Sequence, residues 1–313
     1  MAASNIEWTG ETWNPISGCT RAGPDCDNCY AVPMTRRLEK MGQVAKYGGL
    51  VVLNNAGKRH FNGVVRTHGD VLTVPLRWKT PRTVFVNSMS DLFHRDVPVA
   101  FIGRVYDVMA EAHRHTFQIL TKRTDRAADI LPIFSTRHTT KNDTGWPLAN
   151  VHLGGSAGNQ EMFNKRIAGL LDCPTALRFL SLEPLIGPIV IPDVVESTRG
   201  IWFEPLRPIR AGIGWVIVGG ESGHGARPCD VQWIRSIVRQ CQTAGVPVFV
   251  KQLGANVIDS QASSADTVAA AECWPEGTKT DGHRILLHSP KGSDMAEWPE
   301  DLRIRQMPAK AVA

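Results

Sequence analysis

The sequence has no long hydrophobic run, and none of its apolar stretches approaches the roughly 20 residues that a helix needs to cross a bilayer. The first residues also lack the basic segment and apolar core of a secretory signal. The 313 residues include only seven cysteines, an odd number, and four of these stand alone along the chain. A framework of disulfides is therefore not expected, and reduced thiols in the cytoplasm are the better interpretation.

The chain also lacks a strong excess of charge of one sign, since 35 lysines and arginines face 30 aspartates and glutamates, for a net charge of +5. A hydrophobic content of 42% and a charged content of 21% are ordinary for a globular protein and exclude wholesale disorder. The mild basicity is compatible with a nucleic-acid partner but does not by itself argue for one.

Short runs of β-branched and apolar residues recur along the chain, each followed by a polar or glycine-containing turn and, in several cases, by an amphipathic stretch. Such runs predict strands, and apolar residues at helical spacing, such as Trp233, Ile237 and Cys241, predict helices. The predicted strands cover residues 12–18, 83–87, 116–121, 151–154, 177–182, 215–219 and 246–250, and the predicted helices cover residues 99–113, 160–171 and 231–244.

This alternation implies βαβ units and a mostly parallel sheet, which is either a (β/α) barrel or a doubly wound sheet. In both architectures, functional groups gather at the carboxyl ends of the strands. Polar residues follow nearly every predicted strand, so a single rim would collect them, whereas a doubly wound sheet would spread them over two edges. The sequence therefore favours an α/β fold with an incomplete (β/α) barrel.

We expect one domain over residues 1–313. Three polar or irregular insertions interrupt it, at about residues 40–80, 192–213 and 253–284, and residues 285–313 form a closing segment packed on the body. Basic residues flank the first insertion, where they could follow phosphates, although a solvated basic face is the commoner meaning. They are Lys58, Arg59, Arg66, Arg77, Lys79 and Arg82.

Three cysteines lie close together, at Cys19, Cys26 and Cys29, on a loop containing glycine and proline. Their C-x6-C-x2-C spacing suits a metal centre that keeps one coordination position open, as chemistry on a bound molecule requires. The alternative is a structural zinc site completed by His60, His68 or Cys173. Because zinc sites usually use two cysteine pairs, we favour a [4Fe-4S] cluster whose fourth iron binds S-adenosylmethionine. Tyr30, directly after the third cysteine, agrees with this interpretation.

Other rim residues are candidates for binding the cofactor. Ser90 and Asp91 follow the strand at 83–87, where a carboxylate or carbonyl would suit the methionyl ammonium; a helix cap is an equally good role. Lys122 ends the next strand and could bind the methionyl carboxylate or a phosphate, the alternative being a solvated pair with Asp125. Ser156 follows the strand after that.

Glu183, Glu221 and Lys251 end the later strands and are candidates for catalysis. Glu221 follows Gly219–Gly220, where the backbone can approach a ligand closely, and a carboxylate there could hold ribose hydroxyls or a substrate proton. The alternative is an ordinary tight turn. A lysine in a barrel mouth requires a partner, so Lys251 is expected to pair with Glu183 or Glu221 and could be structural support rather than a catalyst.

Five sequence blocks together resemble a known family, and they run from about Thr12 to Arg303. The chain is similar to an uncharacterised family of phage- and prophage-encoded proteins, which is regarded as radical-SAM-like for its three-cysteine motif and is distantly similar to spore photoproduct lyase. The blocks are residues 12–19 with Cys26 and Cys29, residues 87–94, residues 178–185, residues 219–223 with Arg227–Pro228, and Lys251–Gln252.

The resemblance implies a partial TIM-like radical-SAM barrel in the host cytoplasm, with a [4Fe-4S] cluster and S-adenosylmethionine as cofactors. It implies an external electron donor, a 5′-deoxyadenosyl radical and a substrate that is a nucleic-acid component. One departure is Ala157–Gly158, where a valine–glutamate pair is expected; a barrel that has lost turnover is therefore a further hypothesis. The expected metal ligands are Cys19, Cys26 and Cys29, the cofactor residues Tyr30, Ser90, Asp91, Lys122 and Ser156, and the catalytic residues Glu183, Glu221 and Lys251.

A non-enzymatic alternative is a zinc-stabilised module that binds nucleic acid or protein. It predicts a fourth protein ligand on the metal, at roughly 2.3 Å if that ligand is a thiolate. Loss of His60, His68 or Cys173 would then unfold the site.

Overall fold

The structure is a computed structural model that describes residues 6–135, 145–207, 212–262, 273–276 and 278–308. Parts of the predicted insertions at 192–213 and 253–284 and of the closing segment at 285–313 lie outside these ranges. No helix in the described part of the chain combines the length and the apolar character needed to span a bilayer.

The described residues fold into a mixed α/β domain. The α-helices are α1 Ala31–Lys40, α2 Val44–Tyr47, α3 Val99–Glu111, α4 Thr124–Ile130, α5 Gln160–Asp172 and α6 Val231–Ala244. The strands are β1 Glu11–Trp13, β2 Ile16–Ser17, β3 Val51–Leu53, β4 Arg59–Phe61, β5 Arg66–Thr67, β6 Thr83–Val86, β7 Thr116–Thr121, β8 Val151–Ser156, β9 Leu177–Leu182, β10 Val195–Glu196, β11 Trp202–Phe203, β12 Ile213–Gly219, β13 Cys229–Asp230, β14 Val248–Gln252, β15 Val257–Ile258, β16 Lys279–Asp281 and β17 Arg284–Leu286.

Seven parallel strands form the main sheet, in the order β1-β6-β7-β8-β9-β12-β14. Six of the predicted strands and the three predicted helices are confirmed to within a few residues at each end. The single strand predicted over residues 12–18 is wrong: β1 ends at Trp13, and β2 pairs with β5 in a separate sheet. The strand order in space follows the order in the chain, whereas a doubly wound sheet reverses its order at a switch point. The carboxyl ends of all seven strands therefore lie along a single edge.

The concave face of the sheet has an aromatic core of its own. The rings of Phe85 on β6 and Trp215 on β12 both contact Trp8, with centroids 4.8 and 6.2 Å from its ring. Three strands separate β6 from β12, so a flat sheet would hold them about 19 Å apart. Because one indole reaches both rings, the sheet is curved around Trp8 into a half-barrel.

Alternate residues of the same strands point to the outer face, as the pleat of a strand requires. Val84 and Val86 flank Phe85 on β6 and belong to the larger outer core, which the helices cover. Asn159 and Asp230 cap the first turns of α5 and α6 through their side chains, and Gly245 ends α6 in the left-handed conformation. These caps fix where each crossover helix begins and ends.

The insertions carry small sheets rather than structureless loops. In the first insertion, β3 and β4 form an antiparallel hairpin and β5 pairs with β2. In the second, β10 pairs with β11. The strands of the third insertion join β13, which directly precedes α6, in a four-stranded sheet of order β13-β15-β17-β16. The closing segment covers the edge of β14, where Val250 N donates to Ile304 O at 2.8 Å and Gln306 N donates to Val248 O at 3.0 Å. The edge strand is thereby protected from pairing with another chain.

His152 is a buried polar residue on the concave face of β8, opposite Gln118 of β7. It is 8% exposed, and its Nδ1 atom has no hydrogen-bond partner among the described residues. Burial lowers the pKa of His152 to about 4. The folded protein therefore holds this imidazole in its neutral form at physiological pH.

Replacement of His152 by glutamine is expected to reduce the sensitivity of the fold to acid. In the unfolded chain, a histidine has a pKa of about 6.5, so the unfolded state binds the proton first as the pH falls. Stability is therefore lost between about pH 6.5 and the folded-state pKa of about 4. The fall in the free energy of unfolding between pH 7 and pH 4.5, measured by urea titration, should shrink by about 2–3 kcal/mol. The exposed control His113→Gln should leave the fall unchanged. An undiminished fall in the His152 variant would contradict burial of a neutral ring.

Candidate metal and cofactor site

The three cysteines lie on the loop between β2 and α1, which we call the cysteine loop (residues 18–30). Gly18 begins it at a φ of 85°, and a Cβ atom there would lie 2.0 Å from the Val64 carbonyl oxygen, so only glycine fits. A 3-10 turn over Pro24–Cys26 and a hydrogen bond of 3.2 Å from Cys29 N to Cys26 O then fold the loop back on itself. The loop is compact and leads directly into α1.

A cavity of about 370 Å³ lies beside the cysteine loop, at the carboxyl ends of the parallel strands. Residues that are far apart in the sequence meet there, because the cysteine loop and the ends of β6, β7 and β8 reach the same edge of the sheet. The lining includes every residue predicted from the sequence to bind metal or cofactor, which are Cys19, Cys26, Cys29, Tyr30, Ser90, Asp91, Lys122 and Ser156.

The thiols of the cysteine loop interact with each other and with a nearby guanidinium. Burial raises the pKa of Cys19 to about 12, while Arg123, whose Nη1 lies 3.9 Å from Cys19 Sγ, lowers it. Burial also raises the pKa of Cys29, with Lys122 acting in the opposite direction. Within the described ranges, no three His, Cys, Asp or Glu side chains converge in the arrangement of a preformed metal site.

Three thiols form the sulfur donor set of this cavity, and thiolates are ligands both of zinc and of iron–sulfur clusters. All three cysteines belong to one loop on one cavity, and each is a free thiol. Burial disfavours the thiolate form that metal binding requires, and the positive charge of Arg123 and Lys122 partly opposes that effect. Cys19, Cys26 and Cys29 are thus the candidate ligands for a metal in this cavity.

Asp91 is anchored by four hydrogen bonds at the end of β6. It accepts from Phe93 N at 2.9 Å, Thr121 Oγ1 at 2.8 Å, Lys122 N at 3.1 Å and Arg123 Nη1 at 2.8 Å. The bond to Phe93 N forms a local Asx turn rather than a helix cap, because α3 begins only at residue 99. Asp91 therefore ties the end of β6 to the end of β7 and fixes Arg123.

Arg123 connects that anchor to the cysteine loop. Its Nη2 donates to Thr20 O at 3.0 Å and to Thr20 Oγ1 at 2.8 Å. The same hydroxyl lies 2.8 Å from the Nε2 atom of the fully buried His94. The backbone beside Cys19 is consequently held by two side chains from the body of the domain.

Lys122 points along the floor of the cavity. Its Nζ donates to Ser156 Oγ at 2.8 Å and lies 3.6 Å from Asp25 Oδ2, so its carboxylate neighbour is Asp25 rather than Asp125. Ser156 in turn donates to the Glu183 carbonyl oxygen at 3.3 Å. These contacts join the ends of β7, β8 and β9 beneath the cysteine loop.

Asp25 and Arg166 form a buried ion pair, the first of two carboxylate–guanidinium pairs that hold the cysteine loop. Arg166 Nη1 donates to Asp25 Oδ2 at 2.5 Å and Nη2 to Oδ1 at 3.3 Å, and their side chains are 5% and 0% exposed. The guanidinium also donates to Ser156 O at 2.7 Å and Ala22 O at 3.1 Å. Arg166 thus fixes the loop to α5 and to the end of β8.

Glu221 and Arg227 form the second pair, on the other side of the loop. Arg227 Nη2 and Nε donate to the Glu221 carboxylate at 2.6 and 3.0 Å, and Asn28 Nδ2 donates to it at 2.8 Å. Arg227 Nη1 donates to Pro24 O at 2.8 Å. Although burial opposes it, hydrogen bonding to Arg227 and Asn28 lowers the pKa of Glu221. Glu221 is therefore an ionised anchor for the cysteine loop.

Glu183 and Lys251 lie together at the ends of β9 and β14, outside the cavity lining. Lys251 Nζ donates to Glu183 Oε1 at 2.7 Å, and Gln252 Nε2 donates to the same oxygen at 3.3 Å. Of the two partners expected for Lys251, the structure places Glu183 beside it. Glu221 also lies outside the lining, so none of the three residues predicted as catalytic lines the cavity.

The candidates for a fourth protein ligand occupy different places. His60, on β4, is part of the cavity lining. His68 Nε2 lies 2.8 Å from Ser17 Oγ, and Cys173 is fully buried, with its thiol donating to Gly169 O at 3.2 Å. Of these three side chains, His60 is therefore the one that shares the cavity with the cysteine loop.

Gly158 explains why this chain lacks the expected glutamate after β8. A Cβ atom at Gly158 would lie 2.5 Å from the Pro184 carbonyl oxygen and 3.0 Å from the Asp25 Cβ. Real Cβ atoms essentially never come that close to backbone, so a glutamate here would displace the cysteine loop or the turn after β9. The glycine is part of the packing that seats Asp25.

The chain belongs to a protein family that is defined by sequence, and the model of that family matches residues 3–285. The family is described as a protein of unknown function, DUF5131.

One curated protein is also similar to part of the chain. A D-inositol 3-phosphate glycosyltransferase of Stackebrandtia nassauensis is 27% identical over 161 residues, which cover 44% of this chain. The chain spans 35% of the length of that relative. No solved structure matches the chain.

Proposed function

We propose that this protein is a radical S-adenosylmethionine enzyme built on a partial TIM-like barrel. The observation that carries the proposal is the single cavity at the carboxyl ends of the strands, whose lining combines the three cysteines with the five residues predicted for the cofactor. The half-barrel curvature and the consecutive strand order support it. We further propose that the protein belongs to the three-cysteine, phage-associated family described above and that it works in the cytoplasm.

When bound, the cluster and S-adenosylmethionine would supply one-electron chemistry: with an electron from an external donor, reductive cleavage of the sulfonium to methionine and a 5′-deoxyadenosyl radical. Cys19, Cys26 and Cys29 would hold the cluster, and Arg123 and Lys122 would offset its negative charge. Asp91 keeps Arg123 in place, and Ser90 and Ser156 line the wall where the cofactor would bind.

A substrate would bind beside this wall, next to the cofactor. We propose that it is a nucleic-acid component. Glu183 and Lys251 offer a paired acid and base at the edge of the site, where a substrate group would displace Lys251 from the carboxylate. Glu221 supports the cysteine loop and is assigned no proton transfer.

Anaerobic reconstitution with iron and sulfide tests the proposal. The expected product is a brown protein with close to four irons per chain and broad visible absorption that changes when S-adenosylmethionine is added. Reduction should then yield 5′-deoxyadenosine and methionine in equal amounts. A colourless protein that retains one zinc per chain would refute the radical mechanism.

A zinc-stabilised binding module is a second candidate, favoured by the presence of His60 in the same lining as the three cysteines. Three thiolates and one imidazole form a closed tetrahedral zinc shell. In that case His60→Ala would release the metal, whereas a cluster with an open iron would keep its iron. The activity of the partial glycosyltransferase relative is not proposed for this chain, because the match covers 35% of that protein.

A further inference from the structure

Two cations at the mouth of the cavity form no ion pair with a carboxylate of the described residues. Five cationic residues and two acidic residues belong to the lining, and both acids are already paired, Asp27 with Arg21 and Asp91 with Arg123. Lys58 and Arg59, at the end of the β3–β4 hairpin, are exposed and have no carboxylate within ion-pair distance among the described residues. The hairpin therefore presents two free cations beside the cavity.

The hairpin is held at the mouth by contacts with the cysteine loop. Lys58 Nζ donates to Asn28 Oδ1 at 2.9 Å, and Asn28 is itself fixed by its bond to Glu221. An amide oxygen leaves the ammonium charge intact, so this contact positions Lys58 without neutralising it. A ligand that reached the cavity would pass these cations.

Tyr30 adds an aromatic surface to the same rim. It is 54% exposed, yet its hydroxyl donates to the Ser88 carbonyl oxygen at 2.5 Å, which fixes the ring. An exposed ring with a fixed orientation can stack an unpaired base, and stacking of this kind accepts any base. Neighbouring cations and an exposed aromatic ring form the combination that single-stranded nucleic acid binds.

We propose that the rim formed by Lys58, Arg59 and Tyr30 binds single-stranded nucleic acid, with phosphates on the hairpin and a base on the tyrosine. The inference rests on the proposed function, in which the substrate is a nucleic-acid component, and it specifies that this substrate is single-stranded. A duplex hides its base faces from Tyr30, and a sulfated polysaccharide has none to offer. The two halves of the rim therefore make separate contributions to binding.

Binding of fluorescein-labelled dT12 to the full-length metal-free protein, followed by anisotropy from 50 to 200 mM salt, tests the inference. Lys58→Gln with Arg59→Gln should weaken binding by about tenfold or more at 50 mM salt. The slope of log K against log salt should become shallower by about 1.4, since each phosphate contact on a single strand contributes about 0.7. Tyr30→Leu should weaken binding about fivefold or more with the slope unchanged.

The matched control is Lys279→Gln with Arg284→Gln, which removes the same charge from exposed positions on β16 and β17. Equal losses in the two double variants would overturn the inference, as would equal competition by heparin or by a 12-base-pair duplex. Because the assay contains no cluster, its result is independent of reconstitution. Protein that forms the cluster but does not bind dT12 would defeat this inference alone, and a colourless protein that binds dT12 would defeat the radical mechanism alone.

Discussion

Replacing Arg166 with leucine is expected to lower the free energy of unfolding by about 3–5 kcal/mol, because it leaves the buried carboxylate of Asp25 with only the more distant Lys122 beside it. Both side chains are almost completely removed from solvent, and the Asp25 carboxylate is 0% exposed. Lys122 Nζ, at 3.6 Å, is too distant to replace the paired hydrogen bonds of the guanidinium. The lost interactions also include the contacts of Arg166 with Ser156 O and Ala22 O.

Urea unfolding of the metal-free protein measures this effect. Lys165→Leu is the matched control, since it makes the same substitution at an exposed position one residue away on α5, and it should change stability by no more than about 0.5 kcal/mol. The double variant Asp25→Asn with Arg166→Leu should be more stable than Arg166→Leu alone, because no buried charge is left. If the free energy of unfolding of Arg166→Leu lay within about 1 kcal/mol of the wild-type value, the pair of Asp25 and Arg166 would not be what holds the loop.

The strands of the main sheet could be predicted because each is a short apolar run that ends in a turn, as at 116–121 and 177–182. The curvature could not be predicted in this way. Trp8 precedes the first strand and has no periodic neighbour, yet it contacts Phe85 and Trp215 on the inner face. Which face of a parallel strand lies inside a barrel depends on strand tilt and closure, and both faces are apolar in sequence.

The lining of the site was predictable for a similar reason. In parallel sheets the strand ends meet at one edge, so Asp91, Lys122 and Ser156 could be expected near the cysteine loop from their positions alone. The roles of these residues were harder to predict. Asp91 is occupied by four hydrogen bonds, and Glu221 supports the loop, because polar groups this deep must find partners within the protein.

Asp25, Asn28 and Arg166, which help to hold the cysteine loop, were missed, since their partners are remote in sequence. Asp25 lies 141 residues from Arg166, and Asn28 lies 193 residues from Glu221. One signal was present, however. Arg166 falls on the apolar face of α5, between the buried positions Met162 and Leu170, where a charge is expected only with a buried partner.

Substitution of any one of Cys19, Cys26 and Cys29 by serine should abolish the visible absorption of the reconstituted protein. A [4Fe-4S] cluster with an open iron has three protein ligands, and no fourth thiolate in this lining can take over from a missing one. The iron content should therefore fall from about four per chain to a small fraction of that value. Iron analysis and absorption spectra after anaerobic reconstitution measure both quantities.

The chain supplies its own controls, because its other cysteines lie away from the cavity. Cys273 is exposed and Cys241 is buried in the outer core, so Cys273→Ser and Cys241→Ala should keep full iron content. The free energy of unfolding of the metal-free variants shows whether a substitution damages the fold or only removes a ligand. It should change little for serine substitutions at Cys26 and Cys29, which are partly exposed. If a cysteine-loop variant kept the wild-type absorption while Cys273→Ser lost it, the cluster would have to be assembled elsewhere on the chain. In that case, the three cysteines would line one cavity because of how the chain packs and would not be the ligands of the cluster.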